Sequence, residues 1–295
     1  MFMVFTQVTV MGLGPMGRSL AGALLKKGHS VTLWNRSPGK SDELISLGGV
    51  LAPTVAEAAS ASSLIVICVL NYDAVRSIVE QSGDTLRGKT LVNLTGGTPS
   101  AAREMAKWAS QAGIDYLDGS IIVPAIGEPS GVILYSGSES AYKSYHSTLM
   151  NLVGTSTFLS TDPGRASAFD IALLDIFWTA MSGYIHALAL ADAEQIPVTS
   201  LVPYARDIVG MIPDIMSEFA NQFDSGHYPG QESNLHSTAA VMQNIITASR
   251  ESGIDVSIMS EVKVLVDKAV ELGYRAQDFS RLAEIIRQGS RVKGA

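Results

Sequence analysis

The sequence predicts an α/β domain over residues 1–160 and an all-α helical bundle over 161–295, with a long interdomain helix at about 163–192. Three observations carry this division. A strand-like run ends in a Gly-x-Gly-x-x-Gly turn that opens a helix and leads to a second strand. Strand and helix patterns then keep alternating, as a parallel sheet with crossover helices requires. From Pro163 onward strand patterns disappear, and the helical stretch that replaces them is almost without charge.

Phe5–Met11 reads as the first strand. The apolar start could pass for a signal peptide, but it has no basic n-region or small-residue cleavage site and runs straight into the glycine motif. That motif is Gly12-Leu13-Gly14-Pro15-Met16-Gly17. Gly12 permits the tight turn, Gly14 lets the backbone approach a pyrophosphate, and Gly17 lets helix and strand pack closely. The helical pattern Arg18–Lys27, stopped by Gly28, follows. Its N-terminus offers free N–H groups and a partial positive charge to phosphates. These features describe a Rossmann-type dinucleotide site. The second strand, Val31–Trp34, ends in Asn35-Arg36-Ser37 with Lys40 close behind. A site for NAD would carry Asp or Glu there to hold the ribose 2′-hydroxyl. Here no carboxylate repels a 2′-phosphate, while a guanidinium, a hydroxyl and an ammonium can bind one. The expected cofactor is NADPH/NADP.

Leu64–Leu70 is a continuous apolar run, typical of a strand covered on both faces. Thr90–Leu94 is another, followed by Thr95-Gly96-Gly97-Thr98-Pro99 and a helix from about Ser100 to Gln111. Ligands of such sheets lie beyond the C-terminal strand ends, so Val69, Leu70, Asn93 and Thr95 are candidates to line the nicotinamide half. Asp118–Gly119 and Val123-Pro124-Ala125-Ile126-Gly127 look like a loop bordering the same crevice, which makes Val123 and Pro124 candidates for substrate contact. A strand at Val132–Ser136 follows.

Bulk properties narrow the partners. A chain of 295 residues accommodates two domains with a core each. A formal charge of −7 argues against nucleic acid and acidic membranes. No run reaches the roughly 18 apolar residues that span a bilayer. The single cysteine, Cys68, cannot form an internal disulfide, which fits a reducing cytoplasm. Charged residues are only 17%, so much of the surface should be covered. Nothing calls for a metal.

Asp162-Pro163-Gly164 starts a helix that runs to about Asp192, and between Ala166 and Ala191 its only charged residues are Asp170 and Asp175. Apolar side chains surround the axis, so the helix must be covered on every side. The later helices, roughly Thr199–Gln222, Glu232–Ser252, Val256–Leu272 and Ala276–Arg287, are few for that task. A homodimer in which each long helix is wrapped by the partner's helices is the economical solution. Buried charge is costly unless paired or functional. Asp170 shares a face with Leu174, Phe177 and Met181, with Trp178 beside it, an acid among aromatic groups as in a substrate pocket. Spacing alone does not rank Asp170 above Asp175. Tyr184, His186 and His236 carry weaker cases; of these, His236 is kept as a substrate candidate. No lysine occurs between Lys143 and Lys263. Dehydrogenases of this two-part plan carry a lysine there to handle the proton of an alcohol. Without it, the chain should reduce something other than a carbonyl.

With these residues in hand, the chain resembles the imine reductases, NADPH-dependent relatives of the β-hydroxyacid dehydrogenases, nearly end to end. The glycine motif is widely shared. More specific are Trp34-Asn35-Arg36-Ser37 with Lys40, Asn93-Leu94-Thr95, Val123-Pro124 with Ile126-Gly127, Tyr135-Ser136-Gly137, Asp162-Pro163-Gly164 leading to Asp170, and Gly226-His227-Tyr228-Pro229. The resemblance implies a Rossmann domain, a long interdomain helix and a helical bundle exchanged within an intertwined dimer. It favours Asp170 over Asp175, since Asp170 stands where the dehydrogenases look to carry their catalytic lysine. It implies reduction of cyclic imines or iminium ions, with Asp170 as proton donor or counter-ion. Some relatives have a tyrosine where this chain has Trp178, whose indole donates but does not titrate usefully. Two other readings stand beside it: a dehydrogenase of small hydroxy acids with a displaced acid/base, and a non-catalytic NADP-binding protein.

Overall fold

A computed structural model of the chain describes residues 5–289; residues 1–4 of the apolar start lie outside the described residues. Two compact units emerge, Met1–Ile176 and Phe177–Ala295. In the first, β1 (Gln7–Met11), β2 (Ser30–Trp34), β3 (Val50–Leu51), β4 (Leu64–Ile67), β5 (Thr90–Asn93), β6 (Asp115–Val123), β7 (Val132–Gly137) and β8 (Thr155–Ser160) form one sheet in the order β3-β2-β1-β4-β5-β6-β7-β8. The strands from β1 to β6 pair in parallel, β7 is antiparallel to β6, and β8 is parallel to β7. The strand order reverses between β1 and β4, the switch point at which such sheets bind ligands.

The helices of this unit are α1 (Pro15–Lys26), α2 (Asp42–Ser46), α3 (Val55–Ser60), α4 (Tyr72–Ser82), α5 (Pro99–Gln111) and α6 (Glu139–Leu149), followed by the start of α7 (Arg165–Ala193). Alternating residues of the central strands feed two cores. Val8, Val10, Leu64 and Val66 pack with Leu20 and Leu24 of α1 on one face. Met11, Ile65 and Ile67 pack with Val55, Val75 and Met105 on the other. Burial on both faces explains why these strands read as unbroken apolar runs.

One polar atom inside the first core has no partner. Tyr135 is fully buried, and among the described residues its hydroxyl makes no hydrogen bond. An unsatisfied buried hydroxyl costs free energy. Tyr135→Phe should therefore raise stability by about 1 kcal/mol and Tm by roughly 2 °C; thermal melting of the two proteins checks this, and a lower Tm would refute it.

The second unit comprises the rest of α7 with α8 (Val198–Gly210), α9 (Ile212–Ser225), α10 (Leu235–Glu251), α11 (Ser257–Ala269) and α12 (Leu282–Gly289). Leu235, Val266, Ala269, Leu282 and Ile285 form its core.

Several expectations are corrected. Asp118–Gly119 is not a loop but the middle of β6, hydrogen-bonded to β5 and β7 on either side. Strand β4 stops at Ile67, so Val69 and Leu70 lie in the loop after it. The expected helix Thr199–Gln222 is two helices broken at Met211, beside Pro213, which has no N–H to continue the ladder. Helix α10 starts at Leu235, where Asn234 and Ser237 form a reciprocal capping box. The short β3 and the edge strand β8 carry no expected counterpart. Helix α7, expected to fall short of a bilayer span, is by length and composition long and apolar enough to cross one.

Candidate functional site

The phosphate-binding turn is built as its glycines require. Gly12 adopts φ +98° and donates to the Trp34 carbonyl oxygen at 2.9 Å. A side chain there would meet the Cys68 carbonyl, and one on Gly17 would overlap the Gly12 backbone. Gly14 differs: nothing lies within 4 Å of where its Cβ would be. That open cradle sits at the N-cap of α1, which no side chain caps and whose first turn holds no acid. Free N–H groups and an uncompensated helix dipole therefore face the cradle, and a pyrophosphate fits it.

Gly12, Gly14, Pro15, Met16, Gly17, Asn35, Arg36, Ser37, Lys40, Val69 and Leu70 line one cavity of about 400 Å³. Arg36, Ser37 and Lys40 are exposed at its rim, and no carboxylate stands among its lining residues. Asn35 serves it indirectly. Its Oδ1 accepts from Leu13 N at 2.9 Å and its Nδ2 donates to the Ser37 carbonyl at 2.7 Å, tying the glycine turn to the Arg36 loop. Leu13 itself is fully buried in the core.

The opposite wall went unread in the sequence. Ala74, Ser77, Ile78 and Gln81 of α4 line the same cavity. Their spacing places them on one helical face, and Asn71 caps the helix by accepting from Ala74 N at 3.0 Å. That pattern was the available signal.

Asn93 and Thr95 do not line this cavity; their side chains are buried and form its frame. Thr95 Oγ1 accepts from Val69 N at 3.1 Å, and Asn93 Oδ1 accepts from Thr95 N at 3.1 Å. Asn93 Nδ2 then donates to the Tyr116 hydroxyl at 3.0 Å, which donates to Asp118 Oδ1 at 2.9 Å. Tyr72 donates to the same oxygen at 2.5 Å, and Ser167 donates to Asp118 Oδ2 at 2.8 Å. Burial pushes the Asp118 carboxyl up to about 6, against the lowering effect of these hydroxyls.

The start of α7 is pinned to the sheet. Ser136 Oγ donates to the Pro163 carbonyl and accepts from Ala166 N, both at 2.9 Å. Asp162 takes both Arg103 donors at 2.9 Å and accepts from Gly164 N, which holds its carboxyl down at about 2.

This anchoring separates the two carboxylates of α7. Asp170 is 8% exposed, and burial raises its carboxyl pKa above the ordinary value. It accepts no hydrogen bond from the described residues, and Gly96 faces it, a Cβ there falling 4.0 Å from Asp170 Oδ2. Asp175, expected to be buried, is exposed in the chain.

Val123 and Pro124 are exposed at the end of β6, outside the cavity. Leu174 of α7 is exposed. In the second unit Phe177 and Trp178 pack edge to face at 5.2 Å, and Met181 is partly exposed. His236 is exposed there, its backbone N–H donating to the Arg275 carbonyl. His186 Nε2 lies 3.0 Å from the Asp255 carbonyl oxygen.

Comparison with known proteins matches both halves. Residues 7–160 fit the NAD binding domain of 6-phosphogluconate dehydrogenase, and residues 162–288 the C-terminal domain of NADPH-dependent reductive aminase-like proteins. The chain is 38% identical to an NADPH-dependent reductive aminase of Aspergillus oryzae, over 97% of this chain and 98% of that one. An imine reductase from Myxococcus stipitatus in complex with NADP+ superposes with a TM-score of 0.91 at 33% identity, covering 95% of this chain and 99% of that chain. A reductive aminase from Aspergillus terreus in complex with NADPH4, cyclohexanone and allyl amine also gives 0.91, at 37% identity, covering 96% and 100%.

Proposed function

We infer the chemistry of this chain from the family it belongs to, the NADPH-dependent imine reductases and reductive aminases, which makes it an oxidoreductase acting on C=N bonds with NADPH. The reaction we assign is reduction of cyclic imines and iminium ions to amines, centred on Asp170. The observation that carries this assignment is the state of Asp170: buried, raised in pKa, and accepting no hydrogen bond from the described residues. A carboxyl so placed holds a proton more tightly than an ordinary carboxyl and has no other hydrogen-bond donor among the described residues to satisfy it. Proton transfer to a bound imine leaves carboxylate and iminium as an ion pair in a low-dielectric setting, so one group is first acid and then counter-ion. NADPH, when bound, supplies the hydride. A lysine at this point would oppose the iminium charge, and among the described residues α7 carries none.

The glycine turn and α1 N-terminus would hold the pyrophosphate, and Arg36, Ser37 and Lys40 the 2′-phosphate. Arg36→Ala should raise KM for NADPH by roughly 10- to 100-fold, the worth of a charge-assisted pair, and leave KM for NADH nearly unchanged. Equal effects on both cofactors would remove Arg36 from that role.

In the same reading residues 1–160 are the NADP-binding domain and 161–295 the substrate and dimerisation domain. Val123, Pro124, Leu174, Phe177, Trp178, Met181 and His236 stay assigned to substrate contact. We assign a cytoplasmic homodimer: Phe169, Ile171, Leu173, Ile176 and Trp178 leave α7 apolar and exposed in a single chain, and a second copy would cover it. Light scattering after size exclusion tests this.

The deciding experiment is NADPH consumption with 2-methyl-1-pyrroline, run beside 3-hydroxy acids with NADP⁺. Imine-dependent oxidation with silence on hydroxy acids supports the assignment. Oxidation of a hydroxy acid would return the chain to the dehydrogenases, and silence on both would favour a non-catalytic NADP-binding protein.

A further inference from the structure

Asp118 does not line the cavity beside the glycine turn, yet it is a buried carboxylate with three hydrogen-bond donors. It is 1% exposed, and among the described residues its side-chain hydrogen bonds come from hydroxyls only: Tyr72 at 2.5 Å, Tyr116 at 2.9 Å and Ser167 at 2.8 Å. Tyr116 already accepts from Asn93, so its own proton is directed to Asp118. A group receiving three donors is acting purely as an acceptor, which is the anion's behaviour rather than the acid's. Holding that anion is costly. With a folded pKa of about 6, above the unfolded value, the stability Asp118 contributes is fully present below the unfolded pKa and is lost as pH rises through about 6. A charge kept buried at neutral pH against that loss points to function.

The same hydrogen bonds lead to Asp170. Ser167 stands three residues before it, on the same face of α7 and one turn away. Asp118 thus grips the turn directly below the carboxyl assigned to the substrate, and the charge of Asp170 acts on Asp118 to raise its proton affinity. Such coupling is reciprocal.

We propose that Asp118 is a positioning residue of the reaction, a fixed buried anion that holds the Asp170 turn through Ser167 and, by its charge, strengthens Asp170 as a proton holder and draws the iminium cation into the site. This rests on the assignment of Asp170. The titratable groups facing Asp118 are Tyr72 from α4, Tyr116 from β6 itself and Asp170 from α7; β5 and β7 place neutral Asn93 and Ser136 opposite it. Burial keeps both tyrosines protonated, so the carboxylates carry the titration.

An N-alkylated cyclic iminium, whose charge cannot titrate, isolates this effect. Its kcat/KM would be followed against pH for the wild type, Asp118→Asn and Tyr72→Phe, with NADPH affinity and thermal melting alongside. The acid limb reports loss of anionic charge from the site. Asp118→Asn should raise KM for the iminium about tenfold, and move the limb to lower pH by about one unit, because Asp170 loses a like-charged neighbour. Tyr72→Phe keeps the carboxylate but removes its shortest donor, so Asp118 protonates sooner and the limb moves to higher pH. A merely structural role moves neither. Folded, NADPH-binding variants with unchanged limb and KM would overturn the proposal, and Tyr72→Phe decides alone where Asp118→Asn does not fold. Asp170→Asn is run in parallel. If it loses turnover while the Asp118 and Tyr72 variants behave as wild type, the proposal fails and the Asp170 assignment stands. If it keeps turnover, both fail.

Discussion

Asp170→Ala is expected to lower kcat on a cyclic imine by about 10²- to 10⁴-fold, the usual worth of a positioned acid. NADPH affinity should stay near the wild-type value, because Asp170 is not among the residues lining the cavity proposed to hold the cofactor. Asp170→Asn should do nearly as much damage as Ala, since the amide keeps the shape but cannot ionise. Asp175→Asn provides the internal control: its carboxylate is exposed, and no comparable loss should follow. Steady-state kinetics separates these outcomes. A fall in kcat at constant KM means an interaction made only in the transition state, whereas a rise in KM alone would make Asp170 a binding group. Turnover near the wild type in Asp170→Asn would dismiss the acid and counter-ion roles together.

The second large effect comes from two glycines three residues apart. Gly17→Ala should destabilise the protein by about 3 kcal/mol or more, because the new methyl would overlap backbone atoms of Gly12, which cannot swing aside. For a sheet domain of this size that is a Tm lower by roughly 6 °C or more. Gly14→Ala should leave Tm almost unchanged, since Gly14 has φ −65° and nothing within 4 Å of the added carbon. It should instead weaken NADPH binding severely, the methyl occupying the space into which a pyrophosphate would fit. Melting curves and NADPH titrations on both variants give the contrast. Equal losses of Tm, or unimpaired binding by Gly14→Ala, would show the cradle is not where phosphate sits.

The sequence revealed features governed by local rules. Glycine spacing, the polar residues after β2 and the apolar β4 and β5 runs each have a local cause, and one cavity beside the glycine turn gathers most of the residues they named. Asp118 obeys no such rule. Asp-Gly is a turn-forming pair, and its place in mid-strand depends on pairing with β5 and β7 and on hydroxyls supplied by Tyr72 and Ser167, 46 and 49 positions away. The ranking of Asp170 over Asp175 was illegible from spacing for the same reason: five residues apart on one helix, they differ only in what the sheet places against them. The α4 wall, by contrast, was readable from its helical spacing.

The double hydrogen bond from Ser136 to both sides of the α7 N-terminus has a consequence for mobility and for exchange of parts. The first turns of α7 are clamped to the sheet, and the first compact unit runs on to Ile176. Asp170 therefore belongs to the cooperative unit of the strands, and its amide should resist hydrogen exchange as long as theirs do rather than opening with the distal helices. On the proposed reading, Asp170 and the cofactor-binding half form one inheritable block. Segments beyond residue 176 could then be traded between relatives with the Asp170 carboxyl staying registered on its sheet.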